Sequence, residues 1–375
     1  MQFDLVAHTH LLVVSGSRAY GIHTAASDVD VKGVAVPPPR YYLGCTDQFE
    51  HADSTQAIAG FLPSLGPDER AVAGNQKLEG AVYELRKFLR LALDGNPNIL
   101  DVLFCRDEEV RVATPIGRAL RGQRSRFLSQ KCRHTFAGYA AAQLKRIETH
   151  RRWLLHPPRA EPTRADFGLP DRTVIPADQL SAAEAAIQKQ IGAWAVDLSA
   201  VDDGTRIELQ ARIAASLAAI QVGADPTWSS AARTIGLGDN FIELLDRERR
   251  YKAARTEFQQ HRDWERRRNP ERAASEARFG YDVKHAAHLV RLLRMGAEIL
   301  ETGQVHVWRG DRDADELRAI RGGAWSYDQL IRWARDAEAA LDVLASSGRA
   351  AVPPAPDRAA VDALCVGWVT EALQL

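Results

Sequence analysis

An apolar, β-branched run from Leu11 to Val14 breaks at Ser15-Gly16-Ser17, and after a ten-residue loop a second run carries Asp28 and Asp30 among valines. No other feature restricts the fold as much. Leu11 to Val14 has the composition of a buried strand, and Val29 to Val36 alternates around Asp30 and Lys32 until Pro37-Pro38-Pro39 stops it. Two strands joined by a polar turn are expected. A Gly-Ser turn leaving a buried strand exposes backbone N–H groups and a hydroxyl, a concave donor set suited to phosphate oxygens. Aspartates at i and i+2 on one strand point to the same face. Carboxylates that close repel unless a cation sits between them, and Mg²⁺ held by carboxylates plus substrate phosphates is the usual solution. The competing reading is a plain hairpin with a solvated Asp pair. That reading must explain why acids sit where Val, Ile or Thr would pack better.

The first hundred residues read as α/β. Residues 52 to 77 contain Gly60, Pro63, Gly66, Pro67 and Gly74 with little periodicity and are expected to be a loop or insertion. From Val82, apolar residues at helical spacing predict a helix ended by Asp94-Gly95-Asn96-Pro97, followed by a short one near Ile99 to Phe104. Beyond about residue 110 strand signals disappear, and Ala-rich stretches at 135 to 150, 181 to 196 and 206 to 222, with a charged run from Asn240 to Asn269, suit an all-α domain. Phe279 to Thr302 is apolar over most of its circumference and is expected to be central to that domain. The expected division is a core at 1–108 and a large helical domain at 109–375. A chain of 375 residues with 45% hydrophobic content can build cores of that size. No apolar run approaches the ~20 residues of a bilayer span, and Asp4 and His8 interrupt the apolar N-terminus where a secretory signal would be continuous. A cytoplasmic protein without a membrane segment is expected. Cys45, Cys105, Cys132 and Cys365 are too scattered for a zinc or disulfide framework.

The strand, the Gly-Ser turn, the ten-residue loop to Asp28 and the second strand with Asp30 together resemble the DNA-polymerase-beta-like nucleotidyltransferase superfamily. Gly-Ser-Arg-Ala-Tyr-Gly-Ile-His-Thr at 16 to 24, Lys-Gly-Val-Ala-Val-Pro-Pro at 32 to 38 and Tyr-Tyr-Leu-Gly at 41 to 44 narrow it to the bacterial and phage nucleotidyltransferases assigned to an RNA-repair pathway. Blocks from Tyr83 to Leu100 and from Phe279 to Gly303 look similar to that family too, and 150–240 is poorly matched. The resemblance implies an α/β (α+β) nucleotidyltransferase core with a small mixed sheet followed by helices, transfer of a nucleotide from an NTP, and two Mg²⁺ ions, with Mn²⁺ as an alternative. It implies that Asp28 and Asp30 are metal ligands and catalytic, and that Gly16 and Ser17 bind phosphates. The superfamily's third carboxylate falls on Glu79, with Glu50 as a second candidate.

Two further groups bear on the substrate. Lys284, His288 and Arg291 fall at i, i+4 and i+7 beside His285, so one helix face presents cations or donors able to neutralise a triphosphate; pairing within a helical core is the alternative. Residues 111 to 160 hold twelve Lys/Arg, among them Arg121, Arg124, Arg126, Lys131 and Arg133, against the single acid Glu148. Since the whole chain is neutral, this block is +11 and the remainder −11. Interleaved with Phe127, Phe136, Tyr139 and Trp153, it suits a polynucleotide backbone with bases stacked on rings; a solvated helical face is the alternative. The expected reaction moves a nucleoside monophosphate from an NTP to a hydroxyl, most simply an RNA 3′ end, releasing pyrophosphate. A small molecule or protein side chain as acceptor, and a non-catalytic RNA-binding module, are the competing readings. The sequence leaves open the base, template use and oligomeric state.

Overall fold

A computed structural model describes residues 3–25, 27–74, 78–173, 175–193 and 226–374. Packing groups the chain into two compact units, Met1–Leu155 with Pro270–Leu375, and His156–Asn269. The first contains a mixed five-stranded sheet in the order β3-β4-β2-β1-β5, formed by β1 (Thr9–Ser15), β2 (Val29–Ala35), β3 (His51–Ala52), β4 (Leu78–Glu84) and β5 (Val110–Ala113). β1 is antiparallel to β2 and β5, β3 is antiparallel to β4, and β2 runs parallel to β4. After the sheet the chain is mostly helical. The α/β-then-helical class expected from sequence is thus what the chain adopts.

β1 is apolar from Leu11 to Val14 because both of its faces are covered there. Leu11 and Val13 enter a large core with the helices Leu85–Leu93, Pro97–Phe104, Lys131–Leu155 and Val283–Thr302. Leu12 and Val14 enter a smaller core with Val29, Val31, Val82, Ile58, Phe61 and Leu65. Those last three correct the expectation for 52–77. The described part of that stretch forms short helices, Thr55–Ala59 and Pro67–Ala73 among them, that roof the second face of the sheet. Its glycines and prolines divide the helices into pieces too short for a periodic signal, while Ile58, Phe61 and Leu65 still recur at helical spacing. Residues 75–77 lie outside the described residues.

Two boundaries also differ from expectation. Val82 lies in β4, and the following helix starts at Leu85, where the Glu84 side chain accepts from Lys87 N–H as N-cap. Glycine at position 80 and the short helical spacing beyond Val82 disguise the strand in the sequence. The division expected at 108/109 does not coincide with the packing: β5 begins at Val110 and completes the sheet edge beside β1, and the C-terminal helices belong to the same unit as the sheet. β5 is only four residues long, too short to show alternation.

Helix Val283–Thr302 is the main helical element of this unit. The Asp282 carboxylate caps it by accepting from His285 N–H, and Gly303 ends it at φ +68°. The second unit contains Ala177–Ala193, Pro226–Thr234 and Asp239–Arg267, packed around Ile187, Trp228, Ala231 and Leu245. Its buried Glu248 is met by Arg164 at 2.5 Å. The Ala-rich stretch at 206–222 lies outside the described residues. Among the described residues, no helix is long and apolar enough to cross a membrane.

Candidate metal and nucleotide site

Side chains alternate along a strand, so in β2 the even-numbered positions 30 and 32 share the face of Val34, which lies in the large helical core. Asp30 and Lys32 therefore project beside the helices, and Asp28 lies one residue before the strand. In β4 the partner of Asp30 is Glu79, on the same face as Tyr83 and opposite the Val82 side that enters the smaller core. Asp30 and Glu79 are thus neighbours across β2 and β4 at the end where β1 stops. Ser15 pairs with Asp30 across β1 and β2, and the chain then turns through Gly16 at φ +65°. A Cβ on Gly16 would run into Asp30 Oδ2, so only glycine lets the turn lie against that carboxylate.

Burial raises the Asp30 carboxyl above its ordinary pKa; Lys32 opposes this, Glu79 adds to it, Lys284 opposes and Asp28 adds. Each of these groups is thus within electrostatic reach of Asp30. Among the described residues, no hydrogen bond or ion pair holds the carboxylates of Asp28, Asp30 or Glu79. Acids left without a counter-ion partner, two of them adjacent across parallel strands, are a fitting donor set for divalent cations.

Lys32 is the site residue that sequence reasoning passed over. Its ammonium donates to Asn98 Oδ1 at 3.2 Å and to Asn98 O at 3.4 Å. Burial lowers its pKa, while Asp101 and Asp30 act the other way. A lysine two residues from Asp30 in a lysine-poor chain was an available signal. On an alternating strand it passed for an outward-facing residue.

Helix Val283–Thr302 places its polar residues unequally. Lys284 is exposed and acts on Asp30. Burial pulls His288 down to about 3, helped by Arg291, His285 and Lys32, so its imidazole is neutral and serves as donor or acceptor but not as a counter-charge. Arg291 is fully buried, 3.5 Å from Asp101 Oδ2, with its guanidinium 3.7 Å from the centre of the Tyr20 ring. Its charge belongs to the core.

Glu50 lies apart from this cluster. It pairs with Lys87 at 2.7 Å, and its carbonyl accepts from Glu84 N–H at the far end of β4. Five residues of strand, roughly 17 Å, separate that end from Glu79. The basic block is also partly neutralised. Arg121 pairs with Asp107 and Lys131 with Asp94, both at 2.6 Å, and Arg133 pairs with Asp342. Arg126 donates to Gln123 Oε1, and Arg124 lies 5.5 Å from the centre of the Phe104 ring. Distant acids that the local count omitted supply the partners.

His150, Glu276 and Asp282 form a second group, with ligand atoms within 4.8 Å of one another. Arg272 already donates to Asp282 Oδ2 from Nε at 2.8 Å and from Nη2, so a fixed cation occupies the position a metal would need. Asp28, Asp30 and Glu79 do not gather three ligand atoms so tightly.

No curated protein and no solved structure matches the chain. Residues 6–155 match the family model described as the RNA repair pathway DNA polymerase beta family. This matched segment holds β1 to β5, the Gly16 turn and all three acids. The block at 279–303 lies beyond it. Residues 6–155 are thus similar to the RNA repair pathway DNA polymerase beta family, and the mixed sheet followed by helices is consistent with a polymerase-beta-like nucleotidyltransferase fold.

Proposed function

We propose that this protein transfers a nucleoside monophosphate from an NTP to a hydroxyl at an RNA 3′ end. The observation that supports the reading is the pairing of Asp30 with Glu79 across β2 and β4, with Asp28 acting on Asp30, where the Gly16 turn lies against Asp30. Asp28, Asp30 and Glu79 would hold divalent cations, Mg²⁺ or Mn²⁺, which when bound supply Lewis acidity toward a hydroxyl and neutralise triphosphate charge. In the transfer the hydroxyl oxygen bonds to the α-phosphorus, the bond from that phosphorus to the bridging oxygen of the β-phosphate breaks, the hydroxyl proton is lost, and pyrophosphate leaves. Gly16 and Ser17 would bind the β- and γ-phosphates through backbone N–H groups and the hydroxyl. Lys284 would add the positive charge, and neutral His288 a hydrogen bond. Lys32 would hold Asp30 in its charged form beside Glu79.

A second acceptor is favoured by one observation. Arg121, Lys131 and Arg133 already face carboxylates, which weakens the block at 111–160 as an RNA track and leaves room for a small alcohol or a protein side chain as acceptor. One experiment separates these readings. The protein, with Asp28→Ala/Asp30→Ala beside it, is incubated with Mg²⁺, each labelled NTP in turn and a pool of short RNAs, and the products are resolved on a denaturing gel. Label on RNA that requires both acids supports the proposal, and the NTP used gives the base. Label on the protein itself moves the acceptor to a side chain. No label anywhere, with no Mg²⁺-dependent NTP binding by calorimetry, would sink nucleotidyl transfer altogether.

A further inference from the structure

We propose that the segment Trp308–Arg321, outside the matched region, is a clamp that positions the phosphate-binding turn, with Arg318 and Arg321 as its positioning residues. The inference rests on the nucleotidyl-transfer reading of that turn. Three consecutive carbonyls in the turn accept hydrogen bonds from this one segment, which lies some 290 residues further along the chain. Tyr20 O accepts from Arg309 N–H at 3.1 Å, Gly21 O from Arg318 Nη2 at 3.0 Å, and Ile22 O from Arg321 Nη1 at 3.0 Å. Gly21 sits at φ +71° with the Trp308 ring 2.8 Å from where a Cβ would stand. Trp308 is in turn covered by Arg106, whose guanidinium carbon lies 3.5 Å from the ring centre.

The clamp is itself anchored to the helix that carries Lys284. Buried Arg309 bonds both oxygens of Glu298, at 2.7 and 2.9 Å, and both oxygens of Asp313, at 2.6 and 2.9 Å. From the inner side Tyr20 is fixed by its hydroxyl bond to Asp101 Oδ2 at 2.6 Å and by the Arg291 guanidinium over its ring. The turn is thus held on two sides. Such bracing has a physical purpose. Gly16 and Gly21 both adopt positive φ and bring the chain's greatest conformational freedom into the one place where donors must already face the phosphates. Freedom left in the turn is lost on binding and appears as weaker affinity. Arginines that occupy the carbonyls of residues 21 and 22 remove that freedom beforehand.

The test uses the full chain and leaves Arg309 intact, because its loss would strand Glu298 and Asp313. Arg318→Ala/Arg321→Ala is compared with wild type and with Arg318→Lys/Arg321→Lys, reading KM for the NTP, kcat, thermal midpoint and amide exchange. The N–H groups of Tyr20, Gly21 and Ile22 bond within the turn, to Gly16 O, Arg18 O and Ser17 O, and so report its opening. The alanine pair is expected to keep its midpoint, exchange those amides faster and raise KM about tenfold while kcat changes far less, the signature of lost uniform binding. The lysine pair is expected to recover part of the affinity. Unchanged exchange with unchanged KM overturns the clamp. So does a lowered midpoint that reduces kcat through loss of folded enzyme while KM stays put. A wild-type protein that transfers no nucleotide to any acceptor overturns the functional reading instead, and amide exchange alone then decides whether the clamp exists.

Discussion

Asp30 is costly to the empty fold and, under the proposed nucleotidyl transfer, necessary to the loaded one. Its carboxyl is partly buried, beside Glu79 and near Asp28, and its pKa lies above the ordinary value mainly because burial disfavours the charge. A carboxyl that is harder to ionise folded than unfolded lowers stability as pH rises through its range, since the unfolded chain then gives up its proton more readily. Asp30→Asn keeps the shape and removes the charge. Without divalent ions its unfolding free energy at neutral pH is expected to equal or exceed that of wild type, by about 1 kcal/mol at most. Its nucleotidyl transfer is expected to fall at least about a hundredfold. Urea unfolding beside a turnover assay checks both, and a destabilised Asp30→Asn protein would mean that the carboxylate has a structural partner. The sequence offers Asp28 and Asp30 as a pair because acids at i and i+2 on one strand would repel each other unless a cation joined them; the structure puts Asp30 in β2 opposite Glu79 and Asp28 one residue before the strand. Lys32 was not, because its burial depends on helices contributed from more than 60 residues away, where Asn98 receives it.

Among the elements, helix Val283–Thr302 was the most legible, with apolar residues around most of its circumference, an Asp cap and a glycine stop. Strand β4 was the least. Its alternation is weakened by Gly80, and its Glu84 ends the strand while capping the next helix, so pattern reasoning merged the two. Short helices in 55–73 were missed for a similar reason: each is shorter than the window in which a helical period can be seen. The central helix also carries a pH dependence that pattern alone could not give. Burial pulls His285 down to about 4 and His288 down to about 3, against an ordinary histidine value of 6.5. Histidines held neutral in the fold but protonated when unfolded supply stability that is complete above pH 6.5 and drains away as pH falls toward their folded values. Each can remove at most about 1.4 kcal/mol per pH unit. Urea titrations at pH 7 and pH 5 should therefore show a marked loss for wild type and a smaller one for His288→Gln. Equal slopes would place the imidazole in contact with solvent.

At the scale of the whole molecule, the matched segment and the folding unit are different objects. The family match stops at residue 155, yet the unit that contains its sheet also takes in Pro270–Leu375. Helix Val283–Thr302 lies so close to helix Lys131–Leu155 that a Cβ on Gly296 would come within 3.1 Å of the Phe136 Cβ. On its apolar side Leu289, Val290, Leu292, Leu293, Met295, Ile299 and Leu300 are all buried. Fully burying such side chains is worth roughly 1.5–3 kcal/mol each, so their sum rivals or exceeds the ~5–15 kcal/mol by which a domain is stable. Removal of Arg291 would also take away the guanidinium 3.5 Å from Asp101 Oδ2 and leave Lys32 as its nearby cation, while Asp101 Oδ1 already has no hydrogen-bond partner. Residues 1–155 alone are therefore expected to lose cooperative thermal unfolding and to bind an apolar dye as a loosened globule does. Adding residues 270–375 as a separate polypeptide is expected to restore a cooperative transition, because the missing core surface returns without the intervening unit. A sharp transition for 1–155 on its own, at the midpoint of the full chain, would show instead that the sheet and its first helices suffice. The C-terminal helices would then serve the site only through contacts such as those of Arg318 and Arg321 with the turn.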